Sequence, residues 1–269
     1  MMSTVRCTLL GTGSSGGVPR VGGDWGDCDP NEPKNRRRRC CILIEKRTPD
    51  GGLTSVLIDT SPDLREQLLD AEVRDLDAVV YTHEHADQVH GIDDVRPLAI
   101  QRGAAIPVFM NAETRELLSS RFAYCFEGRG GYPPILEIRP DIEPGIPFTI
   151  AGAGGTLSLL PFDMEHGLIR CLGFRIGEFA YCNDVSDLPP AAKDALRGLD
   201  TLVIDALRYR DHPTHANVAK ALEWISELQP RRAVLTNMHV DLDYATLKRE
   251  LPAGVEPGFD GMVLDIRAA

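Results

Sequence analysis

Histidine is scarce in this chain, seven in 269 residues, and several other features are missing altogether. No apolar run approaches the ~20 residues of a membrane-spanning helix, which argues against a helical membrane protein. The opening Met1-Met2-Ser3-Thr4-Val5-Arg6 passes straight into a strand-like segment and lacks the apolar core of a signal peptide. No disulfide framework is in view. The seven cysteines, an odd number, are scattered at 7, 28, 40, 41, 125, 171 and 182, as expected of free thiols in a reducing cytoplasm. The expected localisation is therefore cytoplasmic. There is no repeat of fixed period, no low-complexity tract and no linker. A basic surplus is missing too: the net charge is −11, and a general nucleic-acid binder needs a basic surface. The one dense basic run, Lys34-Asn35-Arg36-Arg37-Arg38-Arg39, reads mainly as a solvated loop entering the next strand. One or two of its arginines could hold a substrate phosphate through the guanidinium fork.

What is present is a soluble globular composition, 43% hydrophobic and 26% charged, long enough to bury a full core as one large α/β domain or two small ones. Short apolar segments predict strands over 5–10, 40–45, 55–59, 78–82, 107–110, 157–161, 171–176, 179–183, 201–205, 233–236 and 262–266. Ser61-Pro62-Asp63 predicts a helix start, with a hydroxyl cap, proline in the first turn and an acid on the dipole. Helical spacing recurs over 111–124, 189–196, 216–228 and 244–251. The stretches 128–134 and 151–155 read as turns or surface loops. Strand-rich beginnings followed by alternating strands and helices imply an α/β fold of two sheets covered by outer helices.

Three of the seven histidines fall in one run, Thr82-His83-Glu84-His85-Ala86-Asp87-Gln88-Val89-His90-Gly91, where a buried strand ends. Imidazole nitrogen and carboxylate oxygen together suit zinc, manganese or iron. His166, Asp184, His212, His215 and His239 also follow predicted strands. If those strands align, their loops meet on one edge and would assemble a two-metal site with a bridging carboxylate. Gly11-Thr12-Gly13-Ser14-Ser15-Gly16-Gly17 lacks the lysine of a nucleotide P-loop and reads as a tight turn beside that site. Cys40, Cys41 and Cys182 read as small core residues. Asp205 reads as a partner orienting a histidine, and Asp260 as a brace for the C-terminal turn.

With Leu9-Leu10-Gly11-Thr12-Gly13, the His83/His85/Asp87 run, His166 and Asp184, nearly the whole chain resembles the metallo-β-lactamase fold superfamily. Gly17-Val18-Pro19 and Gly258-Phe259-Asp260-Gly261-Met262 make it similar to the phosphoribosyl cyclic phosphodiesterase branch of the carbon–phosphorus lyase pathway. The resemblance implies a single domain over residues 1–269, a four-layer αββα sandwich of two mixed β-sheets with outer helices. It implies two divalent ions per chain, zinc or manganese. His83, His85, His166 and Asp184 would hold the first; Asp87, Asp184 and a histidine from 236–241 the second. The family's next ligand, directly after the motif aspartate, is Gln88 here, a neutral and weaker donor that would weaken this site or favour manganese. His90 is its alternative. The branch's late histidine follows Leu-Thr, where this chain has Asn237. His239, two residues on, would serve if the segment is extended. The branch also holds a structural zinc, but the matching positions here are Gly23, Trp25, Cys28 and Val240, so packing is expected to shape that loop instead.

The activity implied is metal-dependent hydrolysis of a small cyclic or nucleotide-like phosphodiester by a metal-bridging hydroxide. His215 is the expected general acid, and Asp87 the second catalytic residue through the metal. His212 is expected to bond only its own loop. The alternatives are a thioester or lactone hydrolase on the same fold, a tRNA-processing nuclease, disfavoured by the acidic charge, and a non-catalytic metal- or ligand-binding protein. The expected partner is a small-molecule phosphodiester, with no membrane and no nucleic acid; a homodimer is left open.

Overall fold

The computed structural model describes residues 3–267. The Met1-Met2 start of the chain and the last two positions of the 1–269 span lie outside the described residues. Strands β1 (Thr4–Gly11), β2 (Cys41–Arg47), β3 (Leu53–Ile58), β4 (Ala78–Val80), β5 (Ile106–Phe109) and β6 (Leu136–Ile138) belong to the first sheet. The second sheet holds β7 (Phe148–Ile150), β8 (Leu157–His166), β9 (Ile169–Ile176), β10 (Phe179–Cys182), β11 (Thr201–Asp205), β12 (Arg232–Thr236) and β13 (Val255–Pro257). The last strand, β14 (Met262–Ile266), returns to the first, giving orders β14-β1-β2-β3-β4-β5-β6 and β13-β12-β11-β10-β9-β8-β7. The helices are α1 (Leu64–Asp70), α2 (Ala86–Val89), α3 (Arg96–Arg102), α4 (Ala112–Arg121), α5 (Ala123–Glu127), α6 (Pro190–Ala195), α7 (Val218–Leu228) and α8 (Tyr244–Glu250).

Side-chain parity builds the layers. Alternate residues of a strand face opposite sides of its sheet. Ile42 and Ile44 face the second sheet, packing with Phe174, Tyr181, Val203 and Val234. Cys41 and Leu43 face outward onto Leu64 and Leu68 of α1, Ala99 of α3 and Leu118 of α4. Across the molecule, Cys182, Ile204 and Leu235 face Trp224 and Leu228 of α7 and Leu247 of α8. The result is the four-layer αββα sandwich of two mixed sheets.

Both sheets pass from antiparallel to parallel pairing. β3 through β6 are parallel, as are β10 through β13. β8 and β10 both run antiparallel to β9, so they share a direction. Residues following β3, β4, β8, β10, β11 and β12 therefore gather at the carboxyl edges, where open α/β sheets bind ligands. Asp59, Asp184 and Asn237, just past β3, β10 and β12, adopt left-handed φ values of 67°, 56° and 60°. Asn and Asp tolerate that region better than other non-glycine residues.

The local expectations need four corrections. The helix after Ser61 begins only at Leu64, because the Ser61 hydroxyl accepts from the Asp63 N–H at 3.1 Å and turns Pro62 into a preceding turn. The 111–124 helix is broken at Phe122, φ −126°, into α4 and α5. Strands β6, β7 and β13 were not expected. The basic run is not a solvated loop: Arg37 is buried, Arg38 pairs with Asp70 (2.7 Å) and Asp260 (3.3 Å), and Arg39 pairs with Asp63 (3.0 Å). Acidic side chains from α1 and the C-terminal turn draw it in. Among the described residues no helix is long and apolar enough to cross a membrane.

Candidate metal centre

β4 delivers Thr82 and His83 to the carboxyl edge, and α2 follows with His85 as its N-terminal flanking residue. β8 ends on His166. Nε2 of His83 lies 3.1 Å from Nδ1 of His85, which lies 3.3 Å from Nε2 of His166. The outer nitrogens show why these are lone pairs facing one point. Nδ1–H of His83 donates to the Thr82 hydroxyl (3.0 Å), which donates to Asp59 (2.9 Å). Nδ1–H of His166 donates to the Thr214 carbonyl at 2.7 Å. The protons of His83 and His166 are thereby held on their outer nitrogens, the usual support of a metal-ligating histidine. A tetrahedral site with bonds of ~2.0–2.1 Å has ligand atoms about 3.3–3.4 Å apart, so the spacing fits a zinc-like ion. Burial holds His83 below the usual imidazole range, and the neighbouring His166 and His85 push the same way. Burial, then His215, lowers His166 to about 4. Both rings are thus neutral, as a ligand must be.

His166, Asp184 and His215 form a second group whose ligand atoms lie within 4.8 Å of one another. Nδ1 of His215 bonds Asp205 at 2.8 Å and lies 3.5 Å from Asp184. Burial disfavours its charge, but the Asp205 bond and the charges of Asp205, Asp184 and Asp87 prevail and raise it to about 9. Asp205 thus orients a histidine, as its place at a strand end suggested. Burial raises Asp184 above the usual carboxylate range, against the pull of His215.

Other expected site residues sit differently. Asp87 faces the cleft from α2, its Oδ2 3.4 Å from Nε2 of Gln88. Gln88 is fully buried and donates to Asp184 at 3.0 Å. His239 lines the cleft against Arg20 and lies 3.0 Å from Asp241, in neither ligand group. The reason is Asn237: its left-handed φ of 60° breaks the extended alternation on which the placing of His239 rested. His90 packs on Phe122, ring centroids 6.1 Å apart. His212 accepts from the Thr214 N–H at 3.3 Å and stays within its loop. Val18, Cys28 and Val240 form an apolar cluster with Trp25, so packing does shape that loop. Asp260 accepts from Thr12 N–H (3.0 Å) and Arg38 N–H (2.7 Å), bracing more than its own turn.

Sequence reasoning missed Asp59, Asn183, Arg20 and Arg208. Asp59 carried a usable signal, a carboxylate at the end of a predicted strand, as with Asp205. Burial raises it to about 8, against the bonds from Thr82. The arginines carried none, lying in loops without pattern. They line one cleft of ≈ 650 Å³ with Ser14, Ser15, Gly16, five of the histidines (85, 166, 212, 215 and 239) and Asp184.

Comparison with known proteins agrees with this fold. A family profile described as "Beta-lactamase superfamily domain" matches residues 54–238. A solved diphosphatase of the PhnP family is 35% identical, with a TM-score of 0.87 and 98% of each chain covered. Zn(2+)-bound PqqB from Methylobacterium extorquens shares the fold at 16% identity, TM-score 0.75, covering 97% of this chain and 100% of its own. An octanoyltransferase of Porphyromonas gingivalis (strain ATCC BAA-308 / W83) is 35% identical over 263 residues, 96% of this chain. The chain spans about half, 51%, of that curated relative's length. By fold, profile and full-length likeness, the chain belongs to the metallo-β-lactamase superfamily of metal-dependent hydrolases and, within it, to the PhnP family.

Proposed function

We propose that this chain hydrolyses a phosphoester bond in a small anionic substrate: a cyclic or nucleotide-like phosphodiester, or a diphosphate. The observation that carries the reading is the pair of arginines in the cleft. Arg208 gives its bonds to the carbonyls of Asp211 (2.6 Å) and Arg210 (3.3 Å), and among the described residues no carboxylate pairs with it. Arg20 lies against His239 and 3.6 Å from Asp24. In a chain of net charge −11, two guanidinium groups beside an imidazole cluster make a local trap for phosphate. The 35% identical diphosphatase supports the same class.

His83, His85 and His166 are the residues that would hold a divalent ion, zinc by their donor chemistry. Such an ion supplies Lewis acidity, neutralising phosphoryl charge and acidifying water. The chain's own residues do the rest. Arg20 and Arg208 bind and orient the anion. Asp205 fixes Nδ1–H of His215, leaving Nε2 as the nitrogen that can give a proton to the leaving oxygen. Asp87 faces the cleft as the acceptor for an attacking water.

One observation favours a second reading. The Porphyromonas relative transfers an octanoyl group by name, and this chain matches about half of it. Leu168, Ile169 and Leu207 give the cleft an apolar side suited to an acyl chain. Cleavage of an octanoyl ester or thioester is therefore the competitor. Zinc-loaded protein should be assayed on bis-p-nitrophenyl phosphate, a dinucleoside diphosphate and an octanoyl thioester. Phosphoester turnover is expected, with KM rising at least ~10-fold in Arg208→Ala, the loss of a charge-assisted bond or two. Thioester turnover alone would overturn the proposal.

A further inference from the structure

We infer that the chain holds one metal ion, not two, because three amide side chains occupy the oxygens of Asp184 that a second ion would need. The inference rests on the metal-hydrolase reading. Asp184 is 2% exposed and held at the end of β10 with φ 56°. Its Oδ2 accepts from Nδ2 of Asn183 at 2.7 Å and Nε2 of Gln88 at 3.0 Å. Its Oδ1 accepts from Nδ2 of Asn237 at 3.1 Å. The three amides come from three elements, the end of β10, helix α2 and the end of β12. All are at most 1% exposed.

The residues present do not fit a second ion. A carboxylate has about four lone pairs; three amide N–H groups take three of those of Asp184, two on Oδ2 and one on Oδ1, leaving one for an ion and none with which to bridge to a second. An amide nitrogen has no basic lone pair and does not ligate. Turning an amide over would set its oxygen against the Asp184 carboxylate and break a buried hydrogen bond. No other donors make up the deficit. Neither group of converging His, Cys, Asp and Glu ligand atoms among the described residues contains Asp87 or His239, and the buried, unpartnered Oε1 of Gln88 is a single neutral oxygen donor. His239 lies with Nε2 against Arg20 and Nδ1 3.0 Å from Asp241, away from both groups. The amides instead do for Asp184 what a second cation would do. Their N–H dipoles stabilise the buried carboxylate without adding charge. The replacements act together. A histidine at 88 alone would still meet Asn237 on the other oxygen.

The test is a count of ions. Protein equilibrated with excess zinc, and separately manganese, then freed of loose metal, should contain about one ion per chain by elemental analysis. Cobalt titration should saturate at one equivalent, with a single set of ligand-field bands. The double variant Gln88→His/Asn237→His should rise to about two, and two cobalt ions so close should show exchange coupling in their paramagnetic resonance. If that variant fails to fold, Gln88→Glu/Asn237→Asp keeps the shape, replaces both donors by acceptors and should admit a second manganese ion. Two ions in the unaltered protein would overturn the inference. So would a folded double variant that still holds one, since the amides would then not be what excludes the second. No ion in the unaltered protein would instead defeat the metal-hydrolase reading itself.

Discussion

At the scale of single residues, His215 is set up to hold a proton at neutral pH. Burial alone would make this imidazole neutral, like His83 and His166, but the bond to Asp205 and the surrounding carboxylates raise it to about 9. The sign follows: the acid form persists below that value and is lost as pH rises through it. His215→Ala should lower kcat by roughly 10²–10⁴-fold on alkyl phosphodiesters, the span of general acid catalysis. The loss should shrink for p-nitrophenolate, which leaves without a proton. The alkaline fall of kcat/KM should disappear with the side chain. Equal losses for both leaving groups would make His215 a positioning residue, and loss of metal would make it a ligand. The leaving-group comparison on metal-loaded protein, with metal content measured alongside, decides among these.

At the scale of elements, precision comes from close backbone approach. Gly91 follows α2, and its N–H bonds the Thr60 carbonyl at 2.9 Å. A Cβ there would sit 2.1 Å from the Ser61 carbonyl oxygen and 2.7 Å from Cβ of Leu64. Gly91→Ala should therefore push α2 off α1, costing about 1–3 kcal/mol or more as overpacking does. Because α2 carries Asp87 and Gln88 and begins at His85, zinc affinity should fall with the melting temperature. Calorimetry and zinc titration check both, and an unchanged melting temperature would contradict the packing.

The same scale shows what could be read beforehand. The eleven expected strands appear because each carries apolar residues either at a period of 2, buried on one face as in β14, or in an unbroken run buried on both, as in β4 and β11. β6, β7 and β13 have three residues each, too short to carry a pattern, and exist because a neighbouring strand offers a free edge. His83, His85, His166 and Asp184 were legible because each follows a strong strand. His239 was misplaced because nothing in Leu-Thr-Asn-Met-His announces the left-handed turn at Asn237. Arg20 and Arg208 reach the cleft through loops whose course depends on tertiary packing. The amide cluster was half legible: Gln88 and Asn237 stood out as departures from the family's histidines, but their meeting on one carboxylate needed three dimensions.

At the scale of the whole molecule, binding and folding are carried by different atoms. The hydrophobic clusters lie between the sheets and beneath the outer helices, and none includes a metal-facing side chain. His166 sits at the strand edge, and without an ion its neutral ring faces other lone pairs, so removing it costs little packing. His166→Ala should thus lose zinc while keeping the melting temperature of the metal-free parent. Chelation should lower the parent's melting temperature, because an ion bound only by the folded state stabilises it by mass action, but should leave the variant's unchanged. Phe174 is the opposite case, fully buried between the sheets with Phe148 across from it, ring centroids 6.5 Å apart. Phe174→Ala should cost about 3–5 kcal/mol, the range for emptying a buried aromatic site. The fraction that stays folded should still bind zinc, since the carboxyl edges are untouched. Thermal scans of both variants with and without chelator test the separation. A His166→Ala protein that unfolds without metal at a lower temperature than the metal-free parent would show that the site holds the sheets together, and that the division of labour drawn from the core clusters is wrong.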